Sequence, residues 1–311
     1  MTIDAPRLRH LITLDGLDRP VLERLLDSAV ALREQFRRER KVEPQLRDRT
    51  LVNLFFEPST RTRSSFELAA RRLGAHVLNF DIAQSSTGKG ETLEDTVSTL
   101  EAMDADAFVV RHKQNGTPQR LADHARRAAI LNAGDGNHAH PTQGLLDVLT
   151  IRDRLGRVDG AVVTICGDIR HSRVARSDIH ALRTLGAREI RLCGPAPLLP
   201  DAGEFPDCVI VEDFDAAVAN ANAVIMLRLQ KERMSAGLVG DEADYFARYG
   251  LDARRLQRAA AGAVAMHPGP MNRGIEIDAD VADGPQSAVL DQVANGVFIR
   301  MATLIELIGT V

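Results

Sequence analysis

Several large classes of protein are excluded by what this sequence does not contain. Only three cysteines, Cys166, Cys193 and Cys208, occur in 311 residues. Their odd number and the lack of CxxC spacing argue against a disulfide framework and for small buried residues in a reducing compartment. No stretch approaches membrane-spanning length, and residues 1–9 have no apolar core of the kind a secretory leader needs. These absences predict a cytoplasmic protein with no membrane partner. Basic residues are not in excess, since 39 Lys and Arg face 43 Asp and Glu, a formal net charge of −4. A general affinity for nucleic acid is therefore not expected, and any phosphate binding must come from a local cluster. There is no GxxxxGK[ST] run, no internal repeat and no low-complexity region.

What is present is ordinary in bulk and unusual in one place. A hydrophobic content of 44% and a charged content of 26% suit a soluble globular chain, and the length suits two domains with separate cores. The unusual stretch is Phe56-Glu57-Pro58-Ser59-Thr60-Arg61-Thr62-Arg63-Ser64-Ser65-Phe66-Glu67. It follows an apolar run that reads as a buried strand and leads into apolar residues at helical spacing. Free N–H groups and the positive end of the helix dipole converge at such a junction. Hydroxyls on Ser59, Thr60 and Thr62 and the guanidinium of Arg61 add donors matched to an anion. A well-capped helix with a solvated basic face is the bland alternative.

Strands and helices alternate along the rest of the chain. A first helix is predicted over 21–36, and the charge run at 37–41 closes it. Strands are predicted at 51–56, 76–80, 107–111 and 129–132, then at 162–166, 189–193, 209–211, 224–227 and 263–266. Helical patterns lie between them, after Ser59 and near 92–103, 119–127, 174–185 and 215–219. The expected fold class is α/β, with two domains, each a parallel sheet flanked by helices. A long helical pattern at 141–155 joins the two series, and 286–308 is long enough to cross back to the first domain. The expected domains are 1–141 with 292–311, and 142–291.

In open parallel sheets ligands collect beyond the carboxyl ends of the strands, so the residues that end the strands are the candidates. One strand ends in the Ser59–Thr62 turn and another in Arg111-His112-Lys113. A third runs into Asn132-Ala133-Gly134-Asp135-Gly136 and then His138-Ala139-His140-Pro141-Thr142-Gln143. Pro141 suits the first turn of a helix, which places His140 and Gln143 near its start. His138 and His140 raise the question of a metal, but no cysteine or carboxylate at matched spacing supports one. Later strands end in Gly167-Asp168-Ile169-Arg170-His171-Ser172-Arg173, in Arg228-Leu229-Gln230-Lys231 and in His267-Pro268-Gly269-Pro270. Any one of these has a bland reading as a capping or surface residue; together they describe a crevice for more than one anionic group. The loop Ser85-Ser86-Thr87-Gly88-Lys89-Gly90-Glu91-Thr92 has glycines on both sides of a single lysine and the look of a flap.

Taken in order, the stretch 56–63, Arg111-His112, His140-Pro141-Thr142-Gln143 and His267-Pro268-Gly269-Pro270 closely resemble the carbamoyltransferase family, and its aspartate branch in particular. The resemblance runs from the first helix to the last. The ornithine branch would show a Ser-Met-Gly motif in the second domain and a Cys in the late turn; this chain has Arg228-Leu229-Gln230 and no Cys there. Arginine forks suit a dicarboxylate and would repel a cationic side chain.

The resemblance implies transfer of the carbamoyl group of carbamoyl phosphate to the α-amine of L-aspartate, the second step of de novo pyrimidine biosynthesis. It implies that Arg61, Thr62, Arg111 and His140 are catalytic. Carbamoyl phosphate would be held by Ser59, Thr60, Arg61, Thr62, Arg111, His140, Gln143, Gly269 and Pro270, and L-aspartate by Lys89, Arg173, Arg228 and Gln230. No metal or other cofactor is implied. Lys89, with Ser85 or Ser86, would reach into a neighbouring subunit's site, which implies a homotrimer. Family members variously bind zinc-containing regulatory chains, associate with dihydroorotase or work as bare trimers. The late turn His267-Pro268-Gly269-Pro270-Met271-Asn272-Arg273-Gly274 looks more like members without the zinc chain.

Overall fold

The structure is a computed structural model that describes residues 6–80, 90–229 and 241–309. The chain divides into two compact units, Met1–Leu145 with Ala294–Val311, and Leu146–Val293. The first unit begins with α1 (Arg19–Glu39) and β1 (Thr50–Phe55), followed by α2 (Thr60–Arg72) and β2 (His76–Asn79). It continues with α3 (Leu93–Ala102), β3 (Ala107–His112), α4 (Thr117–His124) and β4 (Ala129–Asp135). The chain leaves it within α5 (Pro141–Leu155). The second unit holds β5 (Val162–Cys166), α6 (Arg173–Thr184), β6 (Glu189–Cys193), β7 (Val209–Ile210), α7 (Phe214–Val218) and β8 (Ala223–Met226). Then come α8 (Glu242–Tyr249), α9 (Ala253–Leu256), β9 (Val264–Met266) and α10 (Ala279–Ala282). Helix α11 (Val289–Ile308) returns the chain to the first unit.

Both sheets are parallel throughout, in the orders β2-β1-β3-β4 and β7-β6-β5-β8-β9. The central strands explain why. Leu51, Val52 and Leu54 in β1, and all five residues of β5, are buried on both faces, the pattern of a sheet covered by helices above and below. One core gathers Val52, Leu54, Phe108, Val110 and Ile130 beneath α3 and α4. A second gathers Val162, Val224, Met226, Phe214 and Tyr245. The end of α11 packs on α1, where Arg24 Nη2 lies 2.8 Å from Glu306 Oε1 and the Phe36 and Phe298 rings are 6.0 Å apart.

Each predicted strand is present, and the differences have identifiable causes. Strand β4 continues to Asp135, past the predicted end at Asn132, because its polar residues are satisfied internally. Asn132 Nδ2 donates to Ile12 O (2.9 Å) and to Asp135 Oδ1 (2.7 Å). A register shift between Val110 and His112 accommodates the longer strand. Helices α8, α9 and α10 were not expected; they are short, and Asp241, Asp252 and Asp278 cap them through side-chain oxygens. Cys166 and Cys193 are buried, but Cys208 is only half-buried, since it precedes the exposed two-residue edge strand β7. Burial still pushes its thiol up to about 11.

Candidate active site

The order of each sheet marks where a ligand belongs. From β1 the chain steps outward to β2, then crosses to β3 on the other side of β1 and continues to β4. The crossovers leave in opposite directions between β1 and β3, which opens a crevice at the carboxyl ends of that pair. In the second sheet the same reversal falls between β5 and β8.

At the first crevice, the turn after β1 leads into α2. Ser59 stands at the helix N-cap with extended backbone (φ −159°, ψ 97°), yet its side chain makes no capping hydrogen bond. Six other helices are capped by a side chain, from Thr92, Ser172, Asp213, Asp241, Asp252 and Asp278. Helices α1 and α4 carry proline in second position and α5 begins with Pro141, and proline has no N–H to satisfy. Helix α2 has neither device. Its first N–H groups therefore face the crevice without a side-chain cap, beside the exposed Thr60 and Arg61 and the buried Thr62. The well-capped alternative does not hold.

Arg111 at the end of β3 closes the cradle. Its register partner on β1 is Phe55, and Phe56 N donates to Arg111 O at 2.8 Å. Glu57 Oε2 lies 3.4 Å from Arg111 Nη2, while Nη1 donates to Ala133 O at 3.1 Å. The guanidinium is thus aimed by β1 on one side and β4 on the other. The charge at this strand end comes from Arg111 and not from His112, whose burial holds it below the usual histidine range. Consistently, His112 Nδ1 accepts from Gln114 N at 3.0 Å.

His140 and Gln143 reach the same edge from the start of α5, both buried, with Gln143 N donating to His140 O at 2.9 Å. The loop that delivers them is built on Asp135, which the sequence reading gave no role. Its buried carboxylate accepts from Asn132 Nδ2 (2.7 Å), Gly116 N (2.8 Å) and Ala139 N (3.1 Å), and pairs with His138 Nδ1 (3.0 Å). Burial opposes ionisation of Asp135, but the hydrogen bonds from His138, Asn132 and Gly116 outweigh it and hold the carboxyl below its usual range. A group whose folded value is depressed stabilises the fold above the unfolded value of about 4 and loses that contribution as the pH falls through the folded value. Asp135→Asn should therefore cost about 3 kcal/mol at pH 7, with the gap to the parent closing below about pH 4. Urea unfolding at several pH values measures this; a gap that stayed constant with pH would rule out the charged role. His138 is occupied by Asp135 and exposed, whereas His140 is buried. Among the described residues no group of three or more His, Cys, Asp or Glu is placed to hold a metal ion.

At the second crevice the loops after β5 and β8 carry Arg173 and Arg228, both half-buried. Arg173 is the first residue of α6, whose cap is Ser172 Oγ accepting from Ala175 N at 3.1 Å. Asp168 Oδ1 holds His171 Nδ1 at 2.7 Å and shapes the same loop. The two loops start side by side, because Leu227 N donates to Cys166 O at 2.8 Å. A Cβ on Gly167 (φ +130°) would stand 2.9 Å from Leu227 O, so only glycine lets the loops separate there. At the end of the neighbouring β9, His267 Nδ1 accepts from Gly269 N (2.8 Å), which directs its Nε2–H to Glu276 Oε1 (3.2 Å). The Gly269–Pro270 peptide is cis. Lys89, Ser85, Ser86 and Gln230 lie outside the described residues.

A model of the aspartate/ornithine carbamoyltransferase carbamoyl phosphate-binding domain matches residues 9–153, and one of the Asp/Orn-binding domain matches residues 159–307. The chain belongs to the aspartate/ornithine carbamoyltransferase family. Among its carbamoyltransferase relatives, the aspartate carbamoyltransferase catalytic subunit of Xanthomonas campestris pv. campestris (strain B100) is 57% identical over 97% of each chain. That of Stenotrophomonas maltophilia (strain K279a) is 55% identical over 99% of this chain and 98% of the relative. The crystal structure of aspartate transcarbamoylase from Trypanosoma cruzi in complex with N-(phosphonacetyl)-L-aspartic acid superposes with a TM-score of 0.90. It is 31% identical and covers 99% of this chain and 98% of its own. The ornithine carbamoyltransferase from Pyrococcus furiosus gives 0.87 at 27% identity, covering 97% and 98%. The carbamoyltransferase fold is thus common to both branches.

Proposed function

We propose that the chain is an aspartate carbamoyltransferase: it transfers the carbamoyl group of carbamoyl phosphate to the α-amine of L-aspartate, giving N-carbamoyl-L-aspartate and phosphate in pyrimidine biosynthesis. The observation that carries this reading is the pair of arginines, Arg173 and Arg228, at the reversal point of the second sheet. Two guanidinium forks in the segments after neighbouring strands match two carboxylates and oppose a cationic amino acid. The 55–57% identity to aspartate carbamoyltransferase catalytic subunits supports it, as does the Trypanosoma cruzi enzyme, whose structures hold carbamoyl phosphate and aspartate.

The first unit is the carbamoyl phosphate domain in this reading. Ser59, Thr60, Arg61 and Thr62 take the phosphate at the uncapped start of α2. Thr62, Arg111 and His140 direct donors at the carbonyl oxygen, while Gln143 and the backbone of Gly269 and Pro270 take the carbamoyl amide. Lys89 and Gln230 join Arg173 and Arg228 on aspartate. The uncharged α-amine attacks the carbonyl carbon, and the C–O bond to phosphate breaks with its electron pair. The oxyanion that develops between those steps is stabilised by the three donors more than the ground state is, each worth about 3–4 kcal/mol. The leaving phosphate takes the amine's proton. No protein nucleophile takes part, and much of the acceleration comes from holding two anions in line.

The chain works as a homotrimer with Lys89 reaching a neighbour's site, and it acts in the cytoplasm. Exposed Leu68 on α2 and Leu78 on the edge strand β2 supply apolar surface for that association. The relatives' designation as catalytic subunits implies partner chains for those proteins. A colorimetric assay for ureido products, run in parallel with aspartate and with ornithine, tests the reading. Carbamoyl aspartate alone is the expected product. Carbamoyl ornithine would move the chain to the other branch, and no product with either would leave a binding protein.

A further inference from the structure

The turn after β9 is ordered by side chains and not by its own backbone. Pro268 and Pro270 have no N–H, and among the described residues no backbone–backbone hydrogen bond outside helices and strands involves residues 267–271. Side-chain acceptors take the N–H groups instead. Gln292 Oε1 accepts from His267 N at 2.9 Å, His267 Nδ1 accepts from Gly269 N at 2.8 Å, and Glu276 Oε1 accepts from Asn272 N.

Glu276 does most of this holding. It is fully buried, and its carboxyl group receives Asn272 N, the Nε2–H of His267 at 3.2 Å and, on the other oxygen, Asn272 Nδ2 at 3.3 Å. The residue that opens the turn and one that leaves it are thus tied to a single side chain. The backbone of Glu276 is fixed in its own right: its carbonyl accepts from Leu251 N at 3.0 Å, and its neighbours Ile275 and Ile277 are buried. Gln292, on α11, is constrained as tightly. It is buried, and its Nε2 donates to the buried Asp147 Oδ1 at 2.6 Å. A backbone N–H only donates, so the amide oxygen must face His267 and the amide NH2 must face Asp147.

We propose that Glu276 and Gln292 are positioning residues for the carbamoyl group: from opposite sides they fix the 267–270 backbone, whose Gly269 and Pro270 meet the carbamoyl amide. This rests on the reading of those two residues as contacts to carbamoyl phosphate. The ordering bonds use N–H groups and the His267 ring, so they leave the carbonyls of the turn for an amide to donate to. The effect is on carbamoyl phosphate and not on aspartate, whose contacts lie on the loops after β5 and β8.

Two variants test it. Glu276→Gln keeps the shape but turns an NH2 toward the donors of His267 and Asn272, and Gln292→Leu removes the acceptor for His267 N. Each should raise the Kd for carbamoyl phosphate, measured by calorimetry without aspartate, and its KM by about tenfold or more, with kcat and the KM for aspartate within about threefold of the parent. An unchanged Kd in both folded variants, or a fall in kcat with that KM unchanged, would overturn the proposal. So would a KM for aspartate that rises as far as the KM for carbamoyl phosphate. Amide hydrogen exchange reads the anchors themselves. The His267 N–H should exchange faster in Gln292→Leu, and the Asn272 N–H faster in Glu276→Gln, while the amides of β5 stay as slow as in the parent. Faster exchange throughout the second unit would mean that these side chains hold the fold and not the turn, and would also overturn it. Calorimetry and exchange do not depend on turnover. A parent that binds carbamoyl phosphate and makes no carbamoyl aspartate would therefore sink the functional reading and leave this test intact.

Discussion

Arg61→Ala is expected to lower kcat/KM for carbamoyl transfer by about a thousandfold or more while the melting temperature stays within about 1 °C of the parent. Both halves of that expectation come from one position. Arg61 is exposed in the first turn of α2, so truncating it opens no cavity and removes no core contact. The same turn has no side-chain cap, so in the proposed reading the guanidinium of Arg61 stands where the ligand's phosphate would meet the helix start. A thousandfold corresponds to about 4 kcal/mol of lost transition-state stabilisation, which is within reach of a guanidinium on a developing phosphate dianion in a dry crevice. Thr62→Ala would be a poorer choice, because Thr62 is buried and a loss of packing would be mixed with the loss of a donor. The measurement is steady-state kinetics beside a thermal melt. Near-normal turnover in a folded Arg61→Ala protein would falsify the assignment of the cradle.

How much of this was legible in the sequence depends on the range of the interaction. The strand 50–55 and its turn were readable because an apolar run, a polar turn and a helical period follow one another within a few residues. Arg111 at the end of β3 and Arg173 and Arg228 in the segments after β5 and β8 were readable for the same reason, and the sheet orders then put those strands at the two reversal points. The aiming of Arg111 by Glu57 and Ala133 was not readable, since nothing local says that residues 57, 111 and 133 meet. Asp135 reads in sequence as one residue of the stretch after a strand, because nothing local shows that Ile12 accepts from Asn132 and that the strand continues. Asp147 and Asp178 are a sharper case. Each sits singly on a helix, where an acidic residue ordinarily marks the solvent face, yet both are fully buried. Local rules thus locate the candidate charges, while the groups that aim those charges belong to tertiary structure.

Lys89→Ala should be about as inactive as Arg61→Ala, and mixing the two inactive proteins should restore activity. The argument is geometric. If Lys89 serves the site of a neighbouring subunit, each site takes its cradle from one chain and its lysine from the next. Neither variant alone can assemble an intact site. After dissociation and random reassembly of an equal mixture, the cradle is intact in about half of the chains, and the neighbour's Lys89 is intact in about half of those cases. About a quarter of all sites then regain both halves, in a closed ring where every chain has one neighbour of each hand. Activity should climb toward that fraction of the parent's, and size-exclusion chromatography should show a trimer throughout. A site completed within one chain predicts the opposite: the mixture stays as inactive as its parts, because each chain carries one fatal defect of its own. Partial recovery near a quarter would therefore establish the shared site without any structure of the assembly, and no recovery from verified mixed trimers would confine Lys89 to its own subunit.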